Sequence, residues 1–269
     1  MKKEEENRIL RLTRPVVSRE KNIYGVLYLP PGTPPEAALP LVVLAHGLGG
    51  DHTSMIPYAK SIVKQGYAAY TFDFPGGSVG RNRSSLDNAH MSVMTEAGDV
   101  RDILQAAKSW DYVDGNRVVL VGGSQGGMAC AVAAASRPET VLGMVLLYPA
   151  FSIPDDVHRD FAAKGDIPER IDLFGGWMQV GRMYAEDVWD YSVYEEIGKY
   201  PGPVCLIHGD RDALVDISYS QRAAQVYQRA SFYPIPGAGH EFTEEELMQV
   251  LPCMQDFLQG IFAGTKGRA

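Results

Sequence analysis

Ser124 lies in Gly122-Gly123-Ser124-Gln125-Gly126-Gly127, between a β-branched run, Arg117-Val118-Val119-Leu120-Val121, and an alanine-rich stretch from Met128 to Ser136. A serine hydroxyl is a weak nucleophile at neutral pH and becomes useful only when the backbone exposes it and a base stands within hydrogen-bond reach. Strand, sharp turn and helix in this order do the exposing, as a nucleophile elbow. The turn should hold Ser124 in a strained conformation, and a side chain at position 122 or 126 would crowd the neighbouring strand or helix. The free N–H groups of the following helix would favour a developing negative charge.

The base and its orienting carboxylate must come from segments that end on the same edge of the sheet. In an open parallel sheet that edge is the carboxyl end of the strands. His240 lies in the loop Pro236-Gly237-Ala238-Gly239-His240-Glu241-Phe242, after a strand expected over Ser231–Pro234. Asp212 lies just beyond the apolar run Pro203-Val204-Cys205-Leu206-Ile207, in His208-Gly209-Asp210-Arg211-Asp212, where Asp210 competes for the same role. The order Ser124, Asp212, His240 therefore satisfies an acyl-transfer triad. His46 and His208 each precede a glycine at a strand end, and their imidazoles are expected to bond to loop backbone. His52, His90 and His158 fall in polar loops or in an irregular segment, with no partner at metal-ligand spacing, so no metal site is indicated.

These residues need a framework of alternating strands and helices. Ile9–Ser18 and Ile23–Leu29 read as an edge hairpin around the polar turn 19–22, and 30–35 is a proline-rich loop. Pro40–Ala45 is a continuous apolar run, the pattern of a strand covered on both faces, and leads into His46-Gly47-Leu48-Gly49-Gly50. A helix over Met55–Lys64 capped by Gly66, a strand over Tyr67–Phe72 and a surface loop over Gly76–Asn88 follow. From His90 or Met91 to Trp110 the spacing predicts a longer helix, whose Glu96, Asp99 and Asp102 should lie on a solvated face or in local ion pairs. Strands over 117–121 and 141–147, a helix over Ser218–Arg229, and a last helix over Glu244–Phe262, with a kink expected at Pro252, complete the alternation. Residues 151–200 break it with an aromatic-rich insertion, readable as a lid over a pocket, as a small core of its own, or as both. Residues 265–269 should fray.

Composition sets the outer limits. The 269 residues carry a formal net charge of −8 and are 45% hydrophobic and 22% charged, ordinary for a globular chain long enough to bury a large core. The acidic balance disfavours nucleic acid as a partner. No apolar run approaches a membrane span, and the charged leader Met1–Asn7 has no apolar segment behind it, so the expectation is a soluble cytoplasmic protein. Cys130, Cys205 and Cys253 are far apart in apolar elements, as buried free thiols would be.

The elbow, His46-Gly47-Leu48-Gly49-Gly50, His208-Gly209-x-x-Asp212-x-x-Val215 and Gly237-x-Gly239-His240, in this order over about residues 20–262, resemble the α/β-hydrolase superfamily. The insertion after strand 141–147 and the reading Pro203–Gly209 look more particularly like its bacterial cinnamoyl and feruloyl esterase branch. The resemblance implies a single α/β-hydrolase domain over 1–269, with a mostly parallel sheet, helices on both faces and a lid or cap over 151–200. It assigns the acid to Asp212, four positions after the histidine of His208-Gly209, and an oxyanion hole to the backbone N–H groups of Leu48 and Gln125. It implies a serine carboxylesterase without cofactor or metal, acting on a small-molecule ester with an aromatic or short-to-medium acyl group. Trp177, Tyr184 and Tyr191 are the expected pocket walls, and a homodimer is compatible with the reading. A serine peptidase or acyl-peptide hydrolase, or a non-catalytic ligand-binding homologue, are the alternatives; cysteine or aspartate at the elbow would have pointed to dienelactone hydrolase or dehalogenase chemistry.

Overall fold

In the computed structural model, residues 8–18, 21–80, 83–84 and 86–264 are described. The leader, part of the turn at 19–22, part of the loop at 76–88 and residues 265–269 lie outside them. The strands are β1 (Leu10–Thr13), β2 (Val16–Ser18), β3 (Lys21–Ile23), β4 (Gly25–Leu29), β5 (Leu39–Ala45), β6 (Ala68–Phe72), β7 (Val113–Gly123), β8 (Gly143–Leu147), β9 (Arg170–Leu173), β10 (Met178–Gly181), β11 (Val204–Gly209) and β12 (Ala230–Ile235). The helices are α1 (Ile56–Lys64), α2 (Val93–Ala107), α3 (Ser124–Ser136), α4 (Ile153–Asp160), α5 (Met183–Glu186), α6 (Val193–Ile197), α7 (Ser218–Val226) and α8 (Glu244–Ala263).

Eight strands form one sheet in the order β1-β4-β6-β5-β7-β8-β11-β12. The pairings β1–β4 and β4–β6 are antiparallel and the rest are parallel, so the sheet is mostly parallel, as expected. The expected first strand is split: Pro15 offers no N–H to a ladder, and β2 pairs with β3 apart from the main sheet. Strand β12 carries Pro234, which its edge position tolerates.

The continuous apolar strands are explained by helices on both faces. In β5, Leu41, Val43 and Ala45 join the core beneath α2 and α3, while Val42 and Leu44 join the core beneath α1 and α8. The same period-two division places Val118 and Leu120 of β7 on one side and Val119 and Val121 on the other. The last helix runs unbroken through Pro252. Cys130 and Cys205 are buried and free as expected, whereas Cys253 is only partly covered on α8.

Two expectations are corrected on burial. In the surface loop over 76–88, Val79, Gly80, Arg83, Leu86 and Asp87 are exposed as expected, but Gly76–Ser78 is buried because it is laced to the loop after β5: Gly49 N–H donates to Gly77 O at 2.7 Å and Val79 N–H to Gly49 O at 3.1 Å. On α2, Glu96 and Asp99 are not on a solvated face but 1% and 0% exposed. The helix packs on α3, β7 and β2, so its acidic side is covered: Glu96 accepts from Gln125 of α3, and Asp99 is bridged at 3.1 Å by Lys21, which is distant in sequence.

Residues 151–200 contain α4, the antiparallel pair β9–β10, α5 and α6. The segment is pinned to the body through Ser92, whose hydroxyl donates to Asp187, and by close packing of Gly181 on Ala89. Met178, Val180, Tyr184 and Tyr200 join the main buried core rather than a separate one, while Phe174 and Trp177 stand 59% and 50% exposed.

Candidate active site

The elbow forms where β7 runs into α3, and the helix begins at Ser124 itself rather than at Met128. Ser124 has φ 52°, the left-handed region that costs a non-glycine residue about 1–3 kcal/mol unless its surroundings hold it. Its carbonyl accepts Ala150 N–H at 3.0 Å. The flanking glycines are demanded by backbone contacts: a Cβ at Gly122 would lie 2.5 Å from Gly126 O, and one at Gly126 would lie 2.2 Å from His46 O.

Two distant segments are brought to this serine. His240 Nε2 is 2.9 Å from Ser124 Oγ, and His240 Nδ1 is 2.7 Å from Asp212 Oδ2. Because Nδ1–H is given to the carboxylate, Nε2 is left to accept the serine hydroxyl. A hydroxyl held in this way can lose its proton to the imidazole as it attacks a carbonyl, with the carboxylate stabilising the imidazolium. Asp212 Oδ1 accepts Leu214 N–H and Val215 N–H, both at 2.9 Å. Asp210 instead accepts Gly237 N–H at 2.7 Å, a bond between the loops after β11 and β12.

His208 does more than bond to loop backbone. It is fully buried, and its Nε2 lies 3.1 Å from Asp212 Oδ2 and 3.0 Å from Val215 O. Both neighbours are acceptors, so Nε2 carries hydrogen, while Nδ1 meets the Ser220 hydroxyl at 2.7 Å. The spacing from His208 to Asp212 was visible in the sequence, but no local signal showed that the ring turns toward the carboxylate. Burial by itself would raise the Asp212 pKa; hydrogen bonds from His208, His240 and Val215, together with the His240 charge, outweigh it and hold the carboxyl well below its ordinary range. Tyr148, also missed, has φ 37° and sets its ring 4.8 Å from that of His240.

The loop after β5 closes over the serine from the other side. A Cβ on Gly47 would come within 3.0 Å of Ser124 Cβ, so this approach needs glycine. His46 braces the loop as expected of a backbone-bonded ring: its Nδ1 is 2.7 Å from Gly47 O and its Nε2 accepts Phe74 N–H at 3.0 Å. Its burial lowers the imidazole pKa, which suits the neutral form that such a pair of bonds requires. Leu48 and Gln125 both line the cavity beside Ser124. The Gln125 N–H belongs to the first turn of α3, where helix geometry supplies no acceptor.

His52 proves to be buried rather than in an open polar loop, with Nδ1 2.6 Å from Asp73 Oδ1. Among the described residues, Asp51, His52 and Asp73 bring ligand-type atoms within 4.8 Å of one another. They are spent on each other, on Thr53 and on Arg83, whose guanidinium lies 3.3 Å from His52 Nε2 and opposes a cation there. His90 pairs with Asp87 and His158 with Trp189 O, both at the surface.

A cavity of about 770 Å³ opens above Ser124 and His240. Its apolar wall includes Trp177, Tyr184, Phe161, Phe174, Ile171 and Leu173, and its rim carries Asp156, Asp160, Asp172 and Glu241 with Arg159. Trp177 lies across Gly49, where a Cβ would be 2.0 Å from the indole. Of the three aromatic walls expected, Trp177 and Tyr184 are found there; Tyr191 packs against the apolar core instead.

A model of the alpha/beta hydrolase family matches residues 42–250, and the chain belongs to that family. The quorum-quenching protein AidA of Acinetobacter baumannii (strain MDR-ZJ06) is 38% identical over 95 residues, 34% of this chain and 30% of that protein. The acylamino-acid-releasing enzyme of Mus musculus is 26% identical over 250 residues, 83% of this chain and 31% of that enzyme. The matched region thus spans about a third of the length of these relatives. Among solved structures, Est1E from Butyrivibrio proteoclasticus with ferulic acid bound superposes with a TM-score of 0.82 at 22% identity, covering 93% of this chain and 99% of that one. The likeness is one of fold. Among the described residues no helix is long and apolar enough to cross a membrane.

Proposed function

We propose that this chain is a serine carboxylic-ester hydrolase that works through an acyl-enzyme. The observation that carries the reading is the hydrogen-bonded series Asp212–His240–Ser124, at 2.7 and 2.9 Å, whose Ser124 and His240 line the cavity. Ser124 Oγ attacks the ester carbonyl while His240 takes its proton, and Asp212 stabilises the imidazolium. The tetrahedral oxyanion is received by the N–H groups of Leu48 and Gln125, donors of a kind worth about 3 kcal/mol each. His240 then returns the proton to the departing alcohol, and water, activated by the same imidazole, releases the acid. The cycle as written draws on side chains, backbone and water.

The substrate class we infer is a small ester with an aromatic, hydroxycinnamate-type, or short-to-medium acyl group. The aromatic and aliphatic wall contributed by residues 161–184 supports this, as does the similarity in fold to Est1E with ferulic acid bound. In the same reading residues 151–200 are a lid within a single domain. The free, buried Cys130 and Cys205 suit a reducing cytoplasm. A second reading, a serine peptidase or acyl-peptide hydrolase, is favoured by the acylamino-acid-releasing enzymes among the relatives.

Steady-state turnover of a panel of aryl esters, varied separately in acyl and alcohol parts, set beside aminoacyl and acyl-aminoacyl anilides, separates the two. The esterase reading expects ester kcat/KM to exceed anilide kcat/KM, with aromatic acyl groups among the best. Anilide turnover above ester turnover would replace it with the peptidase reading.

A further inference from the structure

The proposed chemistry uses the backbone of Gln125, yet its side chain is only 1% exposed and is held on several sides. Its Nε2 donates to Glu96 Oε2 at 3.0 Å and approaches Met91 Sδ at 3.4 Å, while its Oε1 accepts the Tyr184 hydroxyl at 2.9 Å. One amide thus ties α3 to α2 and to α5 of the insertion. The residue before it, Ser124, sits at φ 52°, which persists only where neighbours over-determine it. Anchoring position 125 restrains the shared peptide from the helix side, as the bond from Ala150 N–H to Ser124 O restrains it from the other.

We propose that Glu96 and Tyr184 are positioning residues which, by gripping the two ends of the Gln125 amide, hold the Gln125 N–H on the oxyanion. The role rests on the acyl-transfer reading, since it needs that N–H to receive the oxyanion.

Glu96 suits this task best as a neutral acid. The charged and titratable groups facing it are Asp99 on its own helix, Lys21 on β3, Cys130 on α3 and Tyr184 on α5. Lys21 is engaged with Asp99 at 3.1 Å. Burial, reinforced by Asp99 and only partly offset by the Gln125 bond and Lys21, raises the Glu96 pKa to about 8. Below that pH the acid accepts from Gln125 without placing a full negative charge near the oxyanion. Above it, the carboxylate opposes the charge that develops in the transition state.

The test compares the wild type with E96Q and E96L, using kcat and KM on an aryl acetate between about pH 6 and 10 and the ¹H–¹⁵N resonance of the Gln125 backbone amide over the same range. At pH 7, E96L should lose about tenfold in kcat with KM within about twofold, and E96Q should restore kcat to within about threefold of wild type. Wild-type kcat should fall above about pH 8 while E96Q stays level, and the Gln125 amide should titrate in the wild type alone. Wild-type kcat in E96L, or superimposable wild-type and E96Q pH profiles, would overturn the proposal. If E96L does not fold, E96Q and the amide titration decide it. If the wild type turns over no ester, the acyl-transfer reading fails separately, and an amide that does not move with pH also ends the coupling.

Discussion

Replacing Asp212 by asparagine changes one atom and must reverse at least one hydrogen bond. Oδ1 accepts two backbone N–H groups, from Leu214 and Val215, each at 2.9 Å, and Oδ2 accepts from His240 at 2.7 Å and His208 at 3.1 Å. An asparagine nitrogen at the Oδ1 position would face two backbone donors that cannot turn. At the Oδ2 position it faces imidazoles, which can change tautomer. The amide nitrogen should therefore point at His240, making Nδ1 the acceptor and leaving the hydrogen on Nε2, aimed at Ser124. The base is then lost without any change of shape. The expected cost is about 10⁴ in kcat, or roughly 5 kcal/mol of transition-state stabilisation. Stopped-flow and steady-state hydrolysis of an aryl ester, with circular dichroism to check the fold, measures it. Asp210→Asn supplies the control, since Asp210 Oδ1 accepts Gly237 N–H and an amide oxygen can do the same. A D212N enzyme within about tenfold of wild type, or a D210N enzyme worse than D212N, would refute the reasoning.

Gly126→Ala should destabilise the fold by more than about 2 kcal/mol in urea titrations and disturb the elbow, because its Cβ would meet the carbonyl oxygens of His46 and Ala45 at 2.2 and 2.7 Å, and these are backbone atoms. The raised Glu96 pKa has a stability consequence of definite sign. Its contribution is fully present below the ordinary carboxylate range and is lost as pH rises through about 8, so E96Q should gain on wild type by something on the order of 4 kcal/mol between pH 5 and 9 in denaturant titrations; a difference independent of pH would contradict it. At the cavity rim, carboxylates of Asp156, Asp160, Asp172 and Glu241 outnumber the Arg159 guanidinium, so an ester bearing a free carboxylate should show a higher KM than its neutral methyl ester, and the gap should narrow with added salt.

Much of this candidate site was legible because each candidate residue stands at the end of an element with a local signal. The elbow needed glycine at 122 and 126, the strand before Asp212 was an apolar run, a short strand was expected before His240, and the sheet's parallel order carried their ends to one edge. What could not be read depends on packing between distant segments. Glu96 and Asp99 have the helical spacing of a wet acidic face, and it is the packing of α3 and of the β2–β3 pair against α2 that makes them buried. His208 looked like a loop-bonded ring, because nothing local shows its Nε2 turned onto Asp212. Tyr191 shares its type and neighbourhood with Tyr184, yet one packs on the core while the other reaches Gln125. The short helices and the β9–β10 pair of the insertion lack a sustained period, so their order emerges only from the surface on which they dock.

The claim that Ser124 accepts the acyl group is tested most directly by trapping it. Rapid acid quench of the protein with an aryl ester, followed by intact-mass and peptide mass spectrometry, should find a single acyl adduct on Ser124. Ser124→Ala should carry none and His240→Ala almost none. Ester turnover with no adduct at Ser124, or an adduct that persists in the Ser124→Ala protein, would contradict the account.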